Sequence, residues 1–146
     1  MRFLIRIASG LRRVYWFVFR PKTTGVKCLI ECDTSYLFIK HAYGSRMYNW
    51  NLPGGGVKRN ESVSDAVKRE VFEELGIALP HVTELKKYTS SFEYKVDTIH
   101  CFHSIVTTEK IVIDKKEILE ARWFPKNNIP ENISRSIKES LAVLYD

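Results

Sequence analysis

A chain of 146 residues with 45% hydrophobic and 27% charged content is long enough for one domain with a fair core and needs no second. Its net charge of +6 is unevenly placed: residues 1–30 contain no acid, and the remaining 116 residues carry 16 bases against 17 acids. Three cysteines, an odd number with no C-x-x-C pair, give no disulfide framework and point to a reducing, cytoplasmic setting.

Residues 1–23 read as a basic amphipathic extension ahead of a domain over 24–146. Arg2, Arg6, Arg12, Arg13 and Arg20 alternate with Phe3, Leu4, Ile5, Tyr15, Trp16, Phe17 and Phe19. Arg6, Arg12 and Arg13 interrupt every apolar run well before the roughly 18 residues a membrane crossing needs, and no small-residue cleavage site follows a clean apolar core. The favoured expectation is a docking element, against the domain or against the second subunit of a homodimer. Contact of residues 1–20 with a membrane surface comes next. Removing residues 1–20 is expected to change solubility, solution mass or liposome binding while leaving any metal requirement of the domain intact. Loss of catalytic rate with mass and solubility unchanged would contradict that placement.

Thr24 to Cys32 reads as a strand, paired as a hairpin with Tyr36 to His41 across Asp33-Thr34-Ser35. A loop, Ala42 to Asn49, leads to Trp50-Asn-Leu-Pro and three glycines. Beyond the helix described below, Val82 to Ser91 and Phe92 to Thr107 read as long strands. Lys110 to Glu120 reads as a charged loop, Ala121 to Pro125 as a short strand, and Pro130 as the start of a closing helix with Ile133, Ile137, Leu141 and Leu144 on one face. The H-C-x-H run at His100, Cys101 and His103 lies in a strand pattern and lacks a second cysteine pair, which argues against zinc.

The informative stretch is Leu52 to Ile77. Val63, Ala66, Val67 and Val71 recur at the spacing of one helical face, Ser62 suits an N-cap, and Gly76 suits a left-handed stop. On that helix Glu70 and Glu74 fall inside the apolar stripe, with Glu73 on its edge and Arg69 beyond. Carboxylates there are costly unless something positive pairs with them, and a hard divalent cation meets that need. The glycines ahead of the helix let backbone approach a ligand closely, next to a helix start that favours anions. Without metal, neutralising Glu70 or Glu74 is expected to relieve the crowding of like charge.

These residues resemble the Nudix box, G-x5-E-x7-R-E-U-x-E-E-x-G-U with U aliphatic, at Gly55, Glu61, Arg69, Glu70, Val71, Glu73, Glu74, Gly76 and Ile77. At average composition the match arises by chance in on the order of one window in a billion. The resemblance implies an α/β fold, a Nudix-like α/β/α sandwich around a mixed sheet. It also implies a hydrolase that cuts the diphosphate linkage of a nucleoside diphosphate derivative with Mg²⁺ or Mn²⁺. It assigns metal binding to Glu70, Glu74, Glu73 and the carbonyl of Gly54. The general base is left open between Glu73 and a glutamate past the box, Glu117 or Glu120. Arg69 reads as the group that orients a catalytic carboxylate, and Glu61, with Gly55 and Gly76, as structure within the box. Lys40 and Arg46 stand between phosphate binding and plain solvated charge, and Trp50 between base stacking and core packing. The expected partner is a small nucleotide substrate, not DNA. The competing readings are a non-catalytic Nudix-fold regulator, which would be expected to have lost box carboxylates, and an RNA 5′-end pyrophosphohydrolase, which draws on the basic N-terminus.

Overall fold

The computed structural model describes residues 14–15, 17–19, 22–43, 49–92 and 95–146; most of the N-terminal extension, Arg46 and Tyr48 lie outside them. The sheet is organised on β1 (Lys22–Cys32), whose residues alternate between two cores. Val26, Cys28, Ile30 and Cys32 face one core, and Leu29 faces the other. That two-sided burial requires a layer on each side of the sheet. β2 (Ser35–His41) returns antiparallel after a turn in which Asp33 takes φ 49°. β3 (Gly54–Gly56) pairs antiparallel with Gly25, Val26 and Lys27 of β1. β4 (Thr83–Phe92) and β5 (Lys95–Ile105) form a second antiparallel pair, and β5 runs parallel to β1 from Lys22↔Val96 to Glu31↔Ile105. β6 (Ile118–Pro125) pairs with β2, so the order is β4-β5-β1-β2-β6 with β3 on β1.

α1 (Val63–Leu75) lies on one face, where Ala66, Val67, Val71 and Leu75 close a core with Val26, Cys28 and Ile30. The Ser62 hydroxyl accepts from the Asp65 N–H at 3.0 Å, and Gly76 stops the helix at φ 66° with its N–H on the Phe72 carbonyl. α2 (Arg135–Tyr145) covers the other face, where Ile137 packs with Leu29, Phe38, Trp50 and Leu52. The result is an α/β/α sandwich around a mixed sheet. Among the described residues no helix is long and apolar enough to cross a membrane.

Three elements differ from expectation. The glycines after Pro53, given no element from the sequence, form a strand. β6 begins at Ile118, three residues before Ala121, because the partner strand β2 holds it through Lys40↔Glu120 and His41↔Ile118. The closing helix begins at Arg135, not Pro130. The chain before it lies beside Trp50, whose N–H bonds the Asn132 carbonyl at 2.9 Å while its carbonyl accepts from the Ser134 N–H at 2.8 Å. The H-C-x-H run is divided by strand alternation: His100 meets Glu84, Cys101 is buried, and His103 meets Glu31.

Candidate active site

β3 and α1 build the site together. Gly54 sits at φ 146° with its backbone pressed against β1, and its N–H donates to Glu74 Oε2 at 3.0 Å. At Gly55 an added Cβ would come within 2.5 Å of the Glu70 carboxylate, so glycine is what lets that side chain lie against the strand. Glu74 is only 6% exposed, and burial pushes its carboxyl up to about 7, with Glu70 and Glu117 adding to the rise and Lys27 and the Gly54 N–H opposing it.

Arg69 ties the rest together. Its Nε and Nη2 grip both oxygens of Glu61 at 2.8 and 2.9 Å, Nη1 reaches Glu70 at 2.8 Å and Glu73 at 3.3 Å, and Nη2 also bonds the Gly56 carbonyl at 2.9 Å. The paired guanidinium, helped by the Lys58 N–H, holds the Glu61 carboxyl down to about 2. Glu61 and Arg69 thus lock the end of β3 to α1, and Arg69 holds Glu70 and Glu73 at the same time.

These carboxylates open onto a cavity of about 630 Å³ whose far wall includes His41, Tyr43, Asp114 and Glu117. The loop after β5 reaches it by crossing the end of α1, where the Val112 and Asp114 N–H groups bond the Leu75 and Glu74 carbonyls. Glu117 is then fixed by the Ala42 N–H on its carbonyl and by the Tyr43 hydroxyl on Oε2 at 2.6 Å.

The structure therefore brings Gly54, Gly55, Arg69, Glu70, Glu73, Glu74 and Glu117 to one cavity, with Glu61 behind Arg69. Glu120 is not among them: it stands on β6 opposite Lys40 and pairs with Arg122. Lys40 lies over the Trp50 ring at 4.6 Å instead of lining the cavity. Trp50 is core, 4% exposed and edge-on to Phe124, so it packs and offers no face to a base. Arg46 falls outside the described residues. His41, Tyr43 and Asp114 escaped the sequence reading because nothing local marks them; the cross-strand and loop hydrogen bonds that deliver them are long-range.

Among the described residues no three carboxylate, imidazole or thiol groups converge as a preformed metal cage. The carboxylates are instead satisfied by Arg69 and a backbone N–H. The donor set still fits a hard cation, because such an ion takes oxygen ligands, needs only a few from protein, and completes its shell with water and substrate phosphate. Buried Glu74 and adjacent Glu70 present such oxygens to the cavity.

A mixed sheet between two helices, with a glycine strand feeding a carboxylate-bearing helix, defines the class of fold, and comparison with known proteins gives it a family. The family model described as NUDIX domain matches residues 20–144. NAD-capped RNA hydrolase NUDT12 of Macaca fascicularis is 33% identical over 92 residues, 61% of this chain but 19% of that protein. Nucleoside triphosphatase NudI of Escherichia fergusonii is 26% identical over 115 residues, 70% of this chain and 82% of its own. The crystal structure of a MutT NUDIX hydrolase from Burkholderia pseudomallei superposes with a TM-score of 0.74 at 24% identity, covering 86% of this chain and 97% of that one. The chain belongs to the Nudix family. It spans about a fifth of the length of the NAD-capped RNA hydrolase it matches.

Proposed function

We propose that the chain is a divalent-metal-dependent pyrophosphohydrolase that cleaves the diphosphate linkage of a nucleoside diphosphate joined to another moiety, or of a nucleoside triphosphate. The observation that carries this is the buried Glu74 carboxylate hydrogen-bonded to Gly54, beside Glu70 in a cavity that a glycine strand leaves open. Glu70, Glu74, Glu73 and the Gly54 carbonyl would hold Mg²⁺ or Mn²⁺. When bound, such an ion neutralises charge on the non-bridging phosphate oxygens and acidifies water.

The protein's own groups divide the remaining work. Arg69 positions Glu70 and Glu73. Glu117 enters from the opposite wall with Oε2 held by Tyr43, and we assign it the general base: it takes a proton from the water that attacks phosphorus. Glu73 is the weaker candidate for that role because Arg69 already engages it. Glu117→Gln should lower turnover by on the order of 10²-fold or more yet keep the melting shift that Mg²⁺ produces. Loss of both together would move Glu117 among the metal ligands.

Hydrolysis should require added Mg²⁺ or Mn²⁺ and give a nucleoside monophosphate plus a phosphorylated moiety or pyrophosphate. A panel of nucleoside triphosphates, nucleotide sugars, ADP-ribose and dinucleoside polyphosphates, assayed for phosphate-containing products, tests this; full activity in excess EDTA would contradict it. A regulator without catalysis is disfavoured because every box carboxylate is present.

A further inference from the structure

On the other side of β3 lies a second cavity of about 800 Å³ that shares Gly55, Gly56 and Lys58 with the first. The two differ in charge. The first is walled by Glu70, Glu73, Glu74, Asp114 and Glu117. The second is lined by Lys22, Lys27, Lys58, Arg59, Lys95 and Arg135 against a single carboxylate, Asp97, which Lys95 already neutralises at 3.2 Å. Arg135 is committed to Glu139 and to the Tyr88 ring, and Lys58 sits beside Glu61, but Lys22 and Arg59 make no ion pair with a carboxylate among the described residues. Exposed cations gathered in one concavity repel each other, and what offsets that repulsion is an anion.

Two further features point the same way. The cavity reaches the first turn of α2, through Ser134, Arg135 and Ser136. There the Ser134 hydroxyl lies 2.9 Å from the Ser136 hydroxyl and makes no cap to the backbone, so it does not compete with an anion for the helix start. Thr23 also lines the cavity, and its hydroxyl is buried without a hydrogen-bond partner among the described residues.

We propose that this cationic cavity receives a second phosphate of the substrate, one carried by the moiety beyond the scissile diphosphate. The inference rests on the hydrolase reading above and narrows it: the preferred substrate is a nucleoside diphosphate derivative whose attached group bears its own phosphate. That phosphate has two chemical sources, a terminal monoester on a small molecule or the phosphodiester chain of an RNA whose 5′ end carries the diphosphate. Both place a further negative charge beyond the diphosphate, for the cavity across β3 from the carboxylates to meet.

The test is a pair of matched comparisons with Mg²⁺ present. NADP⁺ against NAD⁺ asks about the monoester; an NAD-capped trinucleotide RNA against NAD⁺ asks about the diester chain. At least one charged substrate should show kcat/KM raised by about tenfold or more. Arg59→Glu and Lys22→Glu should bring that ratio back toward one, whereas Lys110→Glu, which lines neither cavity, should leave it unchanged. A metal-free calorimetric titration separates the inference from the hydrolase reading. Adenosine 2′,5′-bisphosphate should bind about tenfold tighter than AMP, and Arg59→Glu should abolish the difference. Tighter binding without hydrolysis of any substrate would uphold the cavity and overturn the hydrolase. Hydrolysis with ratios of one for both pairs, or ratios unmoved by Arg59→Glu and Lys22→Glu, would overturn the cavity and leave the hydrolase standing.

Discussion

Glu74→Gln is expected to melt higher than the parent protein in the absence of metal and to lose nearly all turnover. The side chain is buried, and burial outweighs the opposing charge of Lys27, so at neutral pH folding forces part of a charge into a place that resists it. Glutamine keeps the carbonyl that accepts from Gly54 and removes the charge, which should raise metal-free stability by about 1 kcal/mol. The sign fixes the pH dependence. A carboxyl lifted from 4.5 to about 7 on folding imposes no penalty below 4.5, an increasing one between 4.5 and 7, and its full value above 7. The difference in melting temperature between the variant and its parent should therefore be near zero at acid pH, open through that window and level off above it. A difference that is constant across the window would mean that Glu74 does not titrate there. With Mg²⁺ the order should reverse, since the parent gains stabilisation from the ion and the variant does not, and turnover should fall by orders of magnitude.

Glu70 behaves differently: it adds like charge to Glu74, but its own carboxylate already has a cation partner. Its carboxylate is bonded by Arg69 at 2.8 Å, so Glu70→Gln weakens a charged hydrogen bond instead of relieving a buried charge. No gain in metal-free stability is expected from it.

The second large effect separates two adjacent glycines. At Gly54 an alanine Cβ would come to 2.0 Å from the Val26 carbonyl oxygen, backbone against backbone, at a φ of 146° that side chains rarely adopt. Nothing there can give way without parting β3 from β1. Gly54→Ala should cost about 3 kcal/mol or more of stability. At Gly55 the obstruction is the far end of Glu70, a flexible group that can swing aside. Gly55→Ala should therefore fold with a loss of about 1 kcal/mol or less, yet misplace Glu70 and lower turnover by on the order of 10²-fold. Urea unfolding and initial rates on the two variants give the comparison. If Gly55→Ala keeps its rate, Glu70 does not take part in the chemistry as proposed.

What could be read from the sequence was what local chemistry announces. The box helix was legible because Ser62, Gly76 and the valine spacing each mark it, and because Glu74 breaks the apolar stripe at the position that proves buried. The hairpin of β1 and β2 was legible from alternation around Asp33-Thr34. β3 was not, since three glycines have no strand preference and are held only by pairing with Gly25, Val26 and Lys27. Glu117 and Glu120 could not be told apart because the choice depends on where β6 begins, and β2 sets that through its register. Trp50 stayed ambiguous for a similar reason: only the packing of Phe124 and α2 around it decides that it is core. The cationic cavity combines residues from β1, β3, β4, β5 and the start of α2, and no sequence window contains it.

The most direct measurement is a calorimetric titration of Mn²⁺ into the substrate-free protein and into Glu74→Gln at pH 7.5, above the elevated Glu74 carboxyl. The parent should bind the ion saturably, more weakly as the pH is lowered through 7 because Glu74 must then release a proton, and Glu74→Gln should show little or no binding. Equal affinity in the two proteins, or binding by the parent that does not change with pH, would contradict the placement of the metal at the buried carboxylate of α1.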